Sequence, residues 1–403
     1  MSRRVVVFNH FAAPPESPGG TRHIELFSRL DGWDVRILAA NRNLLTGELV
    51  RPHAPLETVW VSPYSGNGPA RILNWVSYSL TAFARALRIR RVDVFYGSSP
   101  HLLAAFVGLA MARIRRVPFV LEIRDVWPKV LAEMGGMSPE SIVYRILEKL
   151  ESVLYRHADR IVIMAEGVES HLVERGVDSD RIEFIPNAAD SADFVPTAGR
   201  DVLRDRYGFV GVVAVYAGAH GPANGLDLLL DAAREAVVTE PELLVVLVGN
   251  GVAKAGLVDR ARRENLTNVR FMDPIPKSEI PDLLAAADIG VHCLADVEMF
   301  RTGVSPNKLF DYMAAGLPAI TNTPGVCSDF VLASRGGRAV PPDGLAGALV
   351  ELASLSADAR SDIGRLGREH LDATRSRSAM ATRLQVLLDD IVPPQNPTKE
   401  IRT

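Results

Sequence analysis

Only two cysteines, Cys293 and Cys327, occur in 403 residues, and they stand far apart in the chain. That scarcity argues against a disulfide framework or a cysteine-built zinc site, and it suits a reducing compartment. Charge bias is also missing. A net charge of −3 with 47% hydrophobic residues describes an ordinary globular chain, neither disordered nor coating nucleic acid. Long apolar runs are absent: the longest apolar helical stretch, residues 102–112, is too short to cross a bilayer. Residues 5–8 follow Ser2-Arg3-Arg4 and read as a first strand, since they lack the longer apolar region of a signal peptide. The expectation is a soluble, cytoplasmic protein. Familiar catalytic signatures are missing too. The chain has no Gly-x-Ser-x-Gly elbow, no His-Glu-x-x-His and no Gly-x-x-x-x-Gly-Lys loop. Hydrolase, zinc protease and kinase chemistry therefore lack their usual residues.

What is present is an alternation of short β-branched runs with amphipathic helical stretches. In the first half, strands are predicted at 5–8, 35–39, 58–61, 94–96, 119–123 and 160–164, with helices at 21–30, 71–89, 102–114 and 140–156. The pattern restarts with strands at 212–216, 243–248, 269–272, 289–293 and 319–321. Intervening helices are predicted at 226–236, 252–264, 277–286 and 307–315, and later ones at 345–354, 357–370 and 378–391. The predicted fold class is α/β, with two doubly wound parallel sheets facing a cleft. The domains are expected at 1–187 and 201–376, with a linker at 188–200. A last helix, 377–391, is expected to return to the first domain, followed by a flexible tail at 392–403.

Segment 305–318, Ser-Pro-Asn-Lys-Leu-Phe-Asp-Tyr-Met-Ala-Ala-Gly-Leu-Pro, is the most informative. A polar turn opens into a helix whose start offers unpaired N–H groups and a positive dipole end to a phosphate. Lys308 and Asp311 are three residues apart and share a helix face, a cation for phosphate and a carboxylate for hydroxyls. The alternative is a capped surface helix with a weak ion pair. Glycine-rich turns stand at Gly19-Gly20, at 218–225 with His220 and Asn224, and at Gly249-Asn250-Gly251. All follow strands, where backbone can approach a ligand, and each alone is also an ordinary turn. The strand 119–123 runs into Glu122, Arg124 and Asp125 before Trp127-Pro128. These groups suit substrate orientation or proton handling, or else a structural ion pair. Between Arg51 and Val120 there are nine arginines against Glu57 and Asp93. Residues 70–91 there read either as a basic amphipathic helix on an anionic membrane or as an outer helix with arginines facing water.

These motifs resemble those of GT-B glycosyltransferases, and within them the family 4 retaining type. The resemblance runs from about Val5 to Ile391 and rests on Gly19-Gly20, Arg124-Asp125-Val126-Trp127-Pro128, Ile185-Pro186-Asn187, Tyr216-Ala217-Gly218, Gly249-Asn250-Gly251 and Pro306 to Pro318. The Arg-Asp-x-Trp-Pro and Pro-Asn-Lys-x-Phe-Asp-Tyr-Met-Ala pair is similar to a bacterial branch that builds lipid-linked surface polysaccharides. The resemblance implies a metal-independent hexosyl- or N-acetylhexosaminyltransferase with no cofactor. It would take a UDP-sugar donor and a polyprenyl-diphosphate-linked or other glycan acceptor, in peripheral contact with an anionic membrane and without nucleic acid. Nucleotide-sugar binding is expected from Gly19, Gly20, Gly218, His220, Asn224, Gly249, Ile275, Pro306, Asn307, Lys308 and Asp311. Catalysis is expected from Arg124, Asp125, Arg301 and Lys308, and acceptor binding from Glu122 and His101. Two departures stand out. The family's Glu-x7-Glu falls on Gly303 and Asp311, so the donor-sugar carboxylate is missing. The family's basic residues in the second glycine turn fall near 219–224, where there is none. A nucleotide-sugar epimerase or hydrolase of the same fold, or a non-catalytic partner subunit, are the competing readings.

Overall fold

In a computed structural model of the chain, residues 2–393 are described except 15, 18, 19, 45, 65–68, 100, 134–136 and 302. Gly19 and the expected tail from 394 onward therefore lie outside the described residues. The chain divides into two units, one of 2–164, 168–185 and 378–393, the other of 165–167 and 186–377.

The first unit is a seven-stranded parallel sheet in the order β3-β2-β1-β4-β5-β6-β7. Its strands are β1 (Arg3–Phe8), β2 (Trp33–Ala40), β3 (Leu56–Val59), β4 (Val94–Ser98), β5 (Phe119–Ile123), β6 (Arg160–Ile163) and β7 (Ile182–Phe184). Val5, Val6, Val7 and Phe8 of β1 are all fully buried, because helices cover both faces of a parallel sheet and leave no polar side. The helices are α1 (Arg22–Phe27), α2 (Pro69–Arg88), α3 (Leu102–Arg115), α4 (Lys129–Glu133), α5 (Ile142–His157) and α6 (Val168–Glu174). Ser141 caps α5, its hydroxyl accepting from Tyr144 N at 3.2 Å.

The second unit repeats the design with six parallel strands, ordered β10-β9-β8-β11-β12-β13. They are β8 (Val212–Ala217), β9 (Leu243–Val248), β10 (Val269–Met272), β11 (Ile289–His292), β12 (Ala319–Thr321) and β13 (Gly337–Ala339). Helices α7 (Arg200–Tyr207), α8 (Leu226–Ala236), α9 (Lys254–Arg263), α10 (Ile280–Ala286), α11 (Asn307–Ala314), α12 (Val326–Ser334), α13 (Leu345–Ala353) and α14 (Ala357–Thr374) surround it. Ala189 and Phe194, from the expected linker stretch, are buried in one of its two cores with Leu309, Phe310 and Tyr312. The final helix, α15 (Arg377–Ile391), bonds to the first unit, where Trp33 Nε1 donates to Asp389 at 3.0 Å and Arg3 pairs with Asp389 at 2.7 Å.

Both sheets reverse direction once, between β1 and β4 and between β8 and β11. At such a switch point the connections leave in opposite directions and open a crevice at the carboxyl ends of the strands. The chemistry of each unit gathers there.

Candidate active site

In the second unit, α11 begins beside the β8/β11 switch. Pro306 holds an extended conformation (φ −78°, ψ 121°) and provides no side-chain cap, so the first-turn N–H groups keep their unfilled donors. The turn before it is pinned by Ser305, whose hydroxyl accepts from Asn187 N at 3.0 Å. From this start Lys308 reaches back toward β8. Its Nζ donates to Tyr216 Oη and to Asn224 Oδ1, both at 2.8 Å, and lies 4.4 Å from the centre of the Tyr216 ring. Two of three ammonium donors are thereby used. Burial pushes the Lys308 ammonium down to about 8. The Tyr216 hydroxyl, which accepts from Lys308, donates onward to Ala219 O at 2.7 Å.

Tyr312 aligns the same helix. Its hydroxyl accepts from Ala217 N at 2.9 Å, at the carboxyl end of β8. Gly218 follows at φ +157°, and a side chain there would stand 3.1–3.3 Å from Lys308 Cε and Nζ. The glycine leaves the space that Lys308 occupies. The turn at 219–224 has no basic residue of its own, and the cation that reaches it comes from α11.

Histidines around the cation are neutral. Burial, with Lys254 and Lys308, brings His220 down to about 4. Both of its ring nitrogens are buried without a hydrogen-bond partner. His292 is fully buried, with Nδ1 2.9 Å from Thr321 Oγ1, and desolvation, then Lys308, holds it well below the usual range. Sequence reasoning missed His292, Tyr216 and Tyr312. The only signal for them was polar or hydroxylated residues at strand ends and inside the α11 segment.

Other expected residues are placed differently. The glycine turns do not stand open side by side: His220 N donates to Asn250 O at 2.8 Å and Ala253 N to His220 O at 2.9 Å. Gly249, at φ +144°, would put a Cβ 1.9 Å from Gly218 O, so its first requirement is close packing of backbone on backbone. Ile275, after β10, is half-buried and packs against the α11 core. Arg301 is exposed and paired with Asp296 (3.4 Å) and Glu298 (3.2 Å), which occupies its charge locally. Asp311 is half-buried, one turn along α11.

In the first unit, Glu122 and His101 are interior groups, not the ligand-facing ones expected. Glu122 Oε1 accepts from Arg22 Nε at 3.0 Å, while Oε2 accepts from Ser98 Oγ at 2.8 Å and lies 2.6 Å from His23 Nε2. Asn9 Nδ2 lies 2.7 Å from His23 Nδ1, which places the imidazole proton on Nε2, facing the carboxylate. Burial alone would raise the Glu122 carboxyl, but His23, Arg22 and Arg124 hold it well below the usual range. With every strong acceptor position used, Glu122 positions Arg22 and His23. His101 is buried against His10 (4.9 Å), Trp75 (5.2 Å) and Tyr78 (5.7 Å), and desolvation keeps it neutral. Arg124 and Gly20 do come together, the guanidinium lying 3.7 Å from where a Gly20 Cβ would stand. Asp125 is exposed yet ringed by protein; that crowding raises its carboxyl, with Arg124 opposing. Among the described residues, no group of three or more His, Cys, Asp or Glu is placed to hold a metal ion.

Two family patterns match this chain, "Glycosyl transferase 4-like domain" over residues 27–188 and "Glycosyl transferases group 1" over 211–354. The chain belongs to the GT-B glycosyltransferases of family 4 type. It is 28% identical over 261 residues to the probable glycosyltransferase WbjE of Pseudomonas aeruginosa, covering 63% of this chain and 62% of WbjE. It is 26% identical over 275 residues to the putative colanic acid biosynthesis glycosyl transferase WcaI of Escherichia coli K12, covering 65% and 67%. For WbjE the aligned part is thus a little under two thirds of that protein's length. The fold is shared with HepE of Anabaena, solved in complex with UDP-glucose, at a TM-score of 0.71 and 17% identity over 96% of this chain and 99% of HepE.

Proposed function

We propose that the chain is a retaining, metal-independent transferase that moves a hexosyl or N-acetylhexosaminyl group from a UDP-sugar to a lipid-linked glycan in surface polysaccharide synthesis. The observation that supports this reading most directly is the half-buried Lys308 ammonium. It stands at the start of α11 beside the β8/β11 switch point, among neutral histidines and fixed by Tyr216 and Asn224. The WcaI likeness favours a polysaccharide acceptor, and the fold shared with HepE agrees with a UDP-sugar donor.

The chemistry follows from that placement. The bond between the anomeric carbon and the diphosphate oxygen breaks, and negative charge develops on the departing phosphate. Lys308 and the α11 N–H groups are fixed donors for that charge, which need not reorganise as it forms. The acceptor hydroxyl attacks the same carbon from the leaving-group face and passes its proton to the leaving phosphate. No protein nucleophile is required, so configuration is retained. Asp311 binds the ribose hydroxyls, and Arg124 with Asp125 orients the acceptor.

A lipid-linked acceptor needs a way onto a membrane, and the outer helices of the first unit supply one. No helix among the described residues is long and apolar enough to cross a bilayer. The solvent face of α2 carries an apolar stripe, with Ile72, Leu73, Val76, Leu80 and Leu87 all exposed; Arg88 is exposed at its end, while Arg85 is tied to Glu57 at 2.6 Å. Phe106 and Ile114 on α3, and Ile142, Val143, Ile146 and Val153 on α5, continue the exposure. Arg145, Lys149 and Arg156 on α5 are exposed as well. Apolar contact with flanking cations suits an anionic bilayer surface.

The test is a thermal-shift screen against nucleotides and nucleotide-sugars, followed by a transfer assay with the best donor. A ligand at a hundred times its Kd raises stability by about 2.7 kcal/mol. A UDP-sugar should produce the largest shift. Absence of any shift with all nucleoside diphosphates would overturn the reading, and donor turnover without an acceptor would favour the hydrolase.

A further inference from the structure

The loops that follow β1, β2 and β3 enclose a hollow of about 300 Å³ made entirely by the first unit. Its walls include His10, Phe11, Arg42, Asn43, Tyr64 and Asn74. The volume is at the lower end of those that hold small molecules. Amides and a phenol beside an aromatic face suit a sugar, with its hydroxyl edge and apolar ring face.

The charge in this hollow has one sign. Arg42 is half-buried, and its Nη1 donates to Gly47 O at 3.1 Å. Among the described residues no carboxylate pairs with Arg42, and no Asp or Glu lines the walls. Arg71 lies behind them, its guanidinium 5.1 Å from the centre of the Trp75 ring. His10, stacked between Phe11 (4.6 Å) and Tyr78 (4.4 Å), stays neutral because burial, then Arg71, brings it down to about 3. Tyr64 and His101 also feel Arg71, and no carboxylate acts on either. This differs from the interior around Glu122, where the cation Arg22 meets its acid. A half-buried guanidinium such as that of Arg42, with no acid among the described residues, is favoured by a ligand that brings the anion.

Building on the glycosyl-transfer reading, we infer that this hollow holds the acceptor's terminal sugar and that this sugar carries an anionic group, a phosphate or a carboxylate, which Arg42 binds. The shared chemistry is an oxyanion matched to a guanidinium fork.

The experiment is calorimetric titration of the full chain with methyl glucoside, methyl glucuronide, glucose 6-phosphate and inorganic phosphate. It compares wild type with Arg42→Gln and Arg42→Lys, and UDP affinity is measured on each protein. The anionic sugars should bind about tenfold or more tighter than methyl glucoside. Arg42→Gln should abolish that preference, Arg42→Lys should keep part of it, and UDP affinity should not change. Equal binding of neutral and anionic sugars, or a preference that survives Arg42→Gln, overturns the inference. Inorganic phosphate binding as tightly as glucose 6-phosphate overturns it too, since the hollow would then recognise free phosphate only. If UDP binds and the charge preference is missing, only this inference falls. If UDP does not bind either, the glycosyl-transfer reading falls with it.

Discussion

The two units share a topology, a parallel sheet that reverses once, and place opposite chemistry at the reversal. In the first, the polar groups beneath the switch are bonded to one another: Glu122 with Arg22, Ser98 and His23, and Asn9 with His23. Such a network fixes geometry and leaves little to offer a ligand. In the second, one ammonium sits among neutral rings and hydroxyls, without a carboxylate partner among the described residues. That arrangement is set to receive an anion. Outer surfaces differ as well. The first unit gathers large exposed apolar side chains on α2, α3 and α5. The second shows them singly, as at Val202, Val238 and Leu332. Scattered residues of that kind are normal on a soluble surface, whereas a continuous patch points to a contact.

The largest effect that would break this comparison is at Lys308. Lys308→Met should lower turnover by roughly 100- to 1000-fold, the scale for losing one fixed donor to a developing oxyanion. Steady-state donor turnover measures it, with thermal unfolding as the control for folding. Wild-type turnover would mean that the Lys308 ammonium contributes no more to the chemistry than the closed Glu122 network does. Next in size is a pair of glycines. Gly249→Ala should cost about 2–4 kcal/mol in urea unfolding, because its φ is +144° and its Cβ meets Gly218 O at 1.9 Å. Gly20→Ala, with nothing nearer than 3.7 Å, should stay within about 0.5 kcal/mol. Equal costs would refute the reading that Gly249 is required by a close backbone approach that Gly20 does not face.

Asp311→Asn should weaken UDP binding by about 1–3 kcal/mol in calorimetry, the scale of a charged hydrogen bond. Unchanged affinity would remove Asp311 from the donor site. On the outer face, the triple change Ile72→Ser, Val76→Ser and Leu80→Ser should reduce flotation with anionic vesicles. Each of these side chains is already exposed, so stability should change by no more than about 0.5 kcal/mol per substitution. Full flotation by the triple variant would return α2 to the status of a solvated helix.

Strands such as β1 and β9 were legible because a strand buried on both faces must be a continuous apolar run. β7, Ile182-Glu183-Phe184, and β13, Gly337-Arg338-Ala339, were not, since short edge strands need no such run. The start of α11 was legible from Pro306, whose fixed φ suits a helix entrance. The partners of Lys308 were not, because Tyr216 and Asn224 lie 92 and 84 residues away and only the sheet order brings them near. Glu122 misled for the related reason that a carboxylate at a strand end reads as cleft-facing. Burial among Arg22, His23 and Ser98 depends on contacts that spacing does not show. The apolar stripe of α2 was hidden because the sequence does not show which of its arginines face water, and the contact that ties Arg85 to Glu57 is tertiary.

The smallest effect is a fraction of a proton. Burial lowers the Lys308 ammonium from 10.5 to about 8, so at pH 8.5 the unliganded protein holds it mostly deprotonated. A bound diphosphate favours the charged form, and UDP binding at that pH should therefore take up protons. Calorimetry in two buffers of different ionisation enthalpy detects the uptake, which should be small at pH 7 and absent in Lys308→Met. The free protein should show the linked effect on stability. Between about pH 8 and 10.5 the unfolded chain holds this proton and the folded chain does not, so stability from this group rises with pH across that window. Below pH 8 the group is charged in both states and the cost of burying it is fully present. At the first switch point His10 is already deprotonated above about pH 3, and Glu151, which burial raises to about 7, lies on α5 away from it. Proton uptake that persists in Lys308→Met would place the titrating group elsewhere and remove the main difference between the two switch points.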